Sequence, residues 1–87
     1  GFTKSLAREA GALLPQHEIR AFSVSPGYIE TSMTEKIPAS DREKYMGNIP
    51  LRRLGKPEEV AGLISFLLSE EAGYINGSEI KINGGIV

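Results

Sequence analysis

Polar groups cluster just beyond a forced strand stop in the run Val24-Ser25-Pro26-Gly27-Tyr28-Ile29-Glu30-Thr31-Ser32. The chemistry that such a cluster offers is ligand binding, because small molecules sit outside the carboxyl ends of the strands in open α/β sheets. Pro26 removes a ladder donor, and Gly27 lets a ligand approach the backbone closely. An ordinary Pro-Gly turn is the competing reading. The other reactive residue types are scattered. His17 is the single histidine and no cysteine accompanies it, so neither a His/Cys metal site nor a disulfide can form. Glu30, Glu58 and Glu59 lack the arrangement of a paired acid and base, and Glu58 and Glu59 are explained as first-turn helix charges.

The elements that must position this cluster follow from periodicity. Ile19-Arg20-Ala21-Phe22-Ser23-Val24 is short and bounded by a breaker, which predicts a buried strand. Before it, Phe2, Leu6, Ala10, Leu13 and Leu14 predict a helix over 2–14 with those residues on one face, and Pro15 suits its end. After the Pro-Gly stop, a helical turn is expected near 33–36 and a helix over 41–47, with Ser40 as N-cap and Glu43 completing a capping box. Pro57 opens a further helix to Leu68. Its stripe of Val60, Leu63, Ile64, Leu67 and Leu68 is widened by Ala61 and Phe66 to nearly the whole circumference, so a second cover is required. Glu79-Ile80-Lys81-Ile82-Asn83 alternates polar with apolar, as an edge strand does. Two strands joined through a crossover that contains a helix make a right-handed parallel unit.

Composition narrows the field. The chain has 87 residues, 40% of them hydrophobic and 24% charged, which is ordinary globular usage. A formal net charge of −1 gives no electrostatic reason for nucleic acid or an anionic membrane as partner. No apolar run approaches the roughly 20 residues of a bilayer span. A chain of this size makes one domain at most and would be marginally stable by itself.

Four pieces occur in a telling order: Gly1-Phe2-Thr3-Lys4-Ser5-Leu6-Ala7-Arg8-Glu9; Ser25-Pro26-Gly27-Tyr28-Ile29-Glu30-Thr31; Ile49-Pro50-Leu51-Arg52-Arg53-Leu54-Gly55-Lys56-Pro57-Glu58-Glu59-Val60; and Gly73-Tyr74-Ile75-Asn76-Gly77 with Asn83-Gly84-Gly85. Together they resemble the C-terminal third of the short-chain dehydrogenase/reductase family, and within it the 3-oxoacyl-(acyl-carrier-protein) reductase branch. The resemblance spans essentially the whole chain. It implies an α/β fold: the C-terminal part of a doubly wound, Rossmann-type parallel sheet, with two strands, two major helices and a short helical lid. Residues 1–87 would form the C-terminal segment of one NAD(P)-binding domain. The family's Gly-rich dinucleotide fingerprint and Tyr-x-x-x-Lys are not in the chain, since Ser32, Ile49 and Ser78 follow Tyr28, Tyr45 and Tyr74 by four. No catalytic or metal-binding residue is therefore assigned, and the chain alone is expected to be inactive.

The resemblance also implies site residues and partners. Pro26 and Gly27 would shape the nicotinamide wall, Ile29 would present its backbone to the carboxamide, and Thr31 would add a hydroxyl near the carboxamide or pyrophosphate. Read from the residues alone, Ile29 packs in a core and Thr31 caps the next helix. The segment from Ser32 to Pro50 corresponds to the family's substrate lid and carries Met33, Ile37, Met46 and Ile49 among charges, a surface suited to closing over an acyl chain. A cover over the sheet end without that role reads equally well. The implied cofactor is NADP, ahead of NAD. The substrate is a 3-oxoacyl thioester, as in fatty acid biosynthesis, or a sugar, polyol or other small alcohol; a non-catalytic assembly module is the reading from another class. An acyl carrier protein is a candidate partner for Lys36, Arg42, Lys44, Arg52, Arg53 and Lys56, although these charges also read as a solvated face. Family members that dock such carriers are basic near the end of the first helix, where this chain reads Ala12-Leu13-Leu14. A homotetramer and a cytoplasmic setting complete the expectations. Phe22, where the family often has Asn, has no functional reading.

Overall fold

The computed structural model describes residues 1–86, and the fold is α/β. The α-helices are α1 (Phe2–Leu13), α2 (Ala39–Gly47) and α3 (Pro57–Leu67), and the strands are β1 (Ser23–Pro26) and β2 (Glu79–Ile82). Single 3-10 turns lie at Pro15–His17, Thr34–Lys36 and Glu70–Ala72. The two strands pair directly. Ser23 N–H donates to Ser78 O and Gly27 N–H to Ile82 O, each at 3.0 Å and at the same sequence offset, so the pair runs parallel. Exposed Glu79 and Lys81 alternate with half-buried Ile80 and Ile82, as expected for one wet face.

The chain divides into two compact units: Gly1–Val24 with Ile64–Ile80, and Ser25–Leu63 with the residues from Lys81 on. In the first unit Ala7, Leu67 and Ala72 are buried. Here α1 departs from its expected packing. The buried face carries Ala7, flanked by half-buried Thr3 and Ala10, while Phe2 and Leu13 are 82% and 77% exposed. The reason is close approach: Gly77, at φ +71°, brings its Cα so near α1 that a Cβ there would lie 3.5 Å from Ala7 Cβ and 3.8 Å from Lys4 Cα. Only small side chains fit that face, so the large apolar ones point outward. Arg20 supplies a second tie. One guanidinium nitrogen donates to Leu67 O and Ala72 O, each at 2.9 Å, which satisfies a carbonyl at the end of α3 and adds a second bond to the Ala72 carbonyl, which also accepts Ile75 N–H. The guanidinium carbon stands 6.0 Å from the Phe22 ring centroid, so Phe22 acts as its cation–π partner.

The expected strand over 19–24 is shifted along the chain. Ile19–Phe22 makes no ladder because Ala21 is held otherwise: its N–H donates to Asn76 Oδ1 at 2.8 Å, and its carbonyl accepts from Gly77 N–H at 2.7 Å. Pro26, expected to break the strand, is its last residue. Ser23 and Gly27 donate to β2, so positions 24 and 26, in the opposite register, turn their nitrogens away from β2 and Pro26 forfeits no bond.

In the second unit Ile49 and Leu54 are buried. Leu51 N–H donates to Gly84 O at 3.1 Å, and the Asn83-Gly84-Gly85 turn folds onto Ile49 and Pro50. Asn83 builds the turn by accepting from Gly85 N–H at 3.0 Å and donating to Ile86 O at 2.9 Å. The helix α2 starts at Ala39 rather than 41, with Pro38 as N-cap and no side-chain cap. Pro38 is extended (φ −55°, ψ 145°), as an N-cap must be, and its carbonyl already takes the Asp41 and Arg42 N–H groups; Ser40 therefore lies inside the first turn.

Gly84 has φ +68°, and a Cβ there would sit 2.6 Å from Ile49 Cγ2. Left-handed strain and overpacking add, so Gly84→Ala should destabilise the full-length protein by about 2–4 kcal/mol in denaturant titration. A loss below about 1 kcal/mol would show that the turn relaxes away from Ile49.

Candidate functional site

The residues after β1 form the site, and Gly55 sets their orientation. Gly55 N–H donates to Tyr28 O at 2.9 Å and Glu30 N–H donates to Gly55 O at 2.8 Å, an isolated parallel bridge centred on Ile29. In such a bridge the flanking residues bond the partner, and the central residue turns its own N–H and C=O to the opposite side. Neither main-chain group of Ile29 has a hydrogen-bond partner among the described residues. A strand-end residue thus offers one donor and one acceptor side by side. The Ile29 side chain packs on Gly55, where a Cβ would meet Ile29 Cδ1 at 2.8 Å. Core packing and an outward-facing backbone coexist in this residue.

Gly27 is close-packed for a reason other than the one expected. A Cβ at Gly27 would lie 2.7 Å from Asn83 Cβ and 2.9 Å from Asn83 Cα, so the backbone that approaches Gly27 belongs to the end of β2. A hollow of about 330 Å³ lies against Ser25, Pro26, Gly27, Tyr28, Asn83 and Ile86.

Thr31 and Thr34 cap the next turn reciprocally. Thr34 N–H donates to Thr31 Oγ1 at 3.3 Å, and Thr31 N–H donates to Thr34 Oγ1 at 2.8 Å, which is the bonding of a capping box with Thr in the acidic position. Thr34 Oγ1–H is spent on Thr31 O at 2.8 Å, whereas the Thr31 hydroxyl accepts and keeps its own hydrogen. Thr31 is thus a cap that still has a donor.

Of the expected lid residues, Ile37 lines a cavity of about 290 Å³ together with Tyr28, Ile29, Thr34, Arg42, Tyr45 and Leu54. Met33 is 77% exposed and Met46 half-buried, and neither lines that cavity. The rings of Tyr28 and Tyr45 lie 5.3 Å apart at 41°, a tilted aromatic contact. The sequence reading left Tyr45 without a role. The available signal was spacing, because Arg42 and Tyr45 stand three apart on one helix and so share a face.

Arg53 does not belong to a free basic surface. Its guanidinium grips Glu59 through two bonds of 2.6 and 2.9 Å, and Glu59 Oε1 also accepts Lys56 N–H at 3.0 Å, closing the turn into α3. The Arg53 bond and then the Lys56 N–H hold the Glu59 carboxyl at about 2, well below its ordinary 4.5. Among the described residues no cluster of His, Cys, Asp and Glu could hold a metal, and no helix is long and apolar enough to cross a membrane.

Glu59 favours the folded state while ionised. Because its folded pKa is depressed, that contribution is complete above its unfolded value and is lost as pH falls from about 4.5 to about 2. Glu59→Gln should therefore flatten the acid limb of a stability–pH profile in that window and leave a smaller salt dependence. An unchanged acid limb would show that the ion pair contributes nothing.

The whole chain, residues 1–87, matches a family model described as enoyl-(acyl carrier protein) reductase. It is 51% identical over 87 residues to a 3-oxoacyl-[acyl-carrier-protein] reductase of Thermotoga maritima, covering 100% of this chain and 34% of that protein. Identity to the corresponding reductase of Pseudomonas aeruginosa is 44% over 86 residues, with 99% and 33% covered. A (3R)-3-hydroxyacyl-CoA dehydrogenase of Canis lupus familiaris is 45% identical over 86 residues, with 99% and 32% covered. The chain thus spans about a third of the length of the curated relatives it matches.

Proposed function

The chain belongs to the short-chain dehydrogenase/reductase family, and on that premise we propose that the protein carrying it is an NAD(P)-dependent oxidoreductase acting on a carbonyl or alcohol, with a 3-oxoacyl thioester as first substrate. One observation carries the reading: the unpartnered N–H and C=O of Ile29 at the carboxyl end of β1. A nicotinamide carboxamide has one acceptor and one donor group, and both ring faces must stay clear for hydride transfer. A backbone edge meets both demands. NADP is proposed ahead of NAD.

The cofactor supplies or accepts a hydride at its nicotinamide ring. The residues of this chain hold and orient it. Ile29 would hold the carboxamide through its main-chain N–H and C=O, whose direction is set by the bridge to Gly55. Pro26 and Gly27 form the wall that the tight contact with Asn83 keeps rigid. Thr31, whose hydroxyl keeps its hydrogen, would donate it to the carboxamide or pyrophosphate. Ile37 and the two tyrosines exclude water from the chain of the substrate, while the proton-transfer groups are contributed by residues other than these. An acyl carrier protein is proposed as the physiological carrier, docking through Lys36, Lys44, Arg52 and Lys56, which are exposed.

The protein carrying this chain should consume NADPH or NADH when acetoacetyl-coenzyme A is added. Thr31→Val should raise the cofactor dissociation constant about fivefold, as for one lost hydrogen bond of about 1 kcal/mol, and Thr34→Val should raise it less. Fluorescence titration separates the two: equal effects would assign Thr31 to capping alone.

Self-association is proposed through α3. Ala61 is exposed, and Phe66 is 44% and Leu68 69% exposed, which supports a further apolar cover. A two-fold related subunit supplies it in the proposed tetramer. Phe66→Glu should split the oligomer in sedimentation velocity, because an unpaired carboxylate in a desolvated interface costs several kcal/mol. A tetramer that survives the substitution, or a monomeric wild type, removes this interface.

A further inference from the structure

We propose that the cavity beside the Tyr28 loop receives the distal end of the substrate, and that Arg42 selects a carboxylate there. This rests on the oxidoreductase reading and adds the substrate class: short oxo compounds whose far end is anionic.

The cavity is mostly apolar, with the Thr34 hydroxyl and Arg42 as its polar side chains besides the tyrosine hydroxyls. Tyr28, Ile29, Ile37, Tyr45 and Leu54 suit methylene groups, and Arg42 brings the single charge to the lining. Arg42 as a residue is half-buried. Among the described residues the ion pair is Arg53 with Glu59, so no carboxylate stands within 4.0 Å of Arg42, and its side chain donates no hydrogen bond there. A guanidinium stays charged at every physiological pH, so partial burial without a counter-charge is costly. A bound carboxylate reverses that cost by accepting two parallel N–H bonds from the planar fork.

The position of the cavity ties this charge to the reaction. Gly27, Tyr28 and Ile29 line it and also form the loop assigned to the nicotinamide. A substrate carbonyl placed near this loop would have the tyrosine pair and Arg42 along the same cavity. The volume of about 290 Å³ is near the lower end of small-molecule sites, which favours a short chain. In the reduction the ketone carbon gains a hydride from the dihydronicotinamide, which is oxidised, and the ketone oxygen gains a proton. The distal carboxylate is unchanged and serves only as the handle.

The test compares monomethyl 3-oxoadipate, which carries a free carboxylate, with methyl 3-oxohexanoate, which ends in a methyl group, using the full-length protein. Wild type should favour the carboxylate in kcat/KM, mainly through KM. Arg42→Gln should lower that preference about tenfold, the size of a charge-assisted hydrogen bond, and Arg42→Lys should keep part of it. A preference equal in wild type and Arg42→Gln, or absent from wild type, overturns the proposal. Calorimetric binding of hexanoate against hexanamide gives a readout without turnover. If wild type reduces neither ester, the oxidoreductase reading falls; a hexanoate preference that Arg42→Gln erases still supports the anion site, and its absence overturns that too.

Discussion

The candidate site depends on two main-chain hydrogen bonds, Gly55 N–H to Tyr28 O at 2.9 Å and Glu30 N–H to Gly55 O at 2.8 Å. They bind the loop after β1 on one edge only, and strand geometry then turns the polar groups of Ile29 the other way. If the loop slipped by one residue, the Ile29 backbone would face inward and its side chain outward. The glycine at 55 is part of the same constraint, because a methyl group there would meet Ile29 Cδ1 at 2.8 Å. What looks like a flexible loop in composition is therefore a registered strand extension.

Around that bridge, the second unit is closed by contacts too tight for a side chain. Gly27 abuts Asn83, and Gly84 abuts Ile49, at separations below 3.0 Å for any added Cβ. Close-packed backbone of this kind transmits displacement rather than absorbing it. The Arg53–Glu59 pair serves a different end. Its side chains are 50% and 41% exposed, so the direct Coulomb gain is screened, and its structural value lies in joining the turn at Arg53 to the first turn of α3 through the shared Lys56 N–H.

The same physics explains how α1 is laid down. Helix-forming residues decide that it is a helix, but the approach of Gly77 decides which face is inside, and it selects Ala7 over Phe2 and Leu13. Periodicity reports an apolar stripe and cannot report which neighbour reaches the helix first. The large apolar residues of α1 are left as an uncovered surface in this chain.

The amino-acid sequence by itself determined the element types, the parallel strand–helix–strand unit and the start of α3 at Pro57. Each is a local matter, governed by proline's fixed φ, by capping or by hydrophobic period. It also held the family resemblance, because four short motifs in order need no coordinates to be recognised. Only the tertiary structure decided the rest: that the partner of Gly27 is Asn83, that Ala21 is held by Asn76 instead of a ladder, that Phe22 lies by Arg20, and that Arg42 and Tyr45 join Tyr28 around one cavity while Met33 does not. Apart from the Arg20–Phe22 contact, these pairings join residues well separated in the chain. Burial and hydrogen-bond satisfaction select them over the whole fold, and no local pattern carries that information.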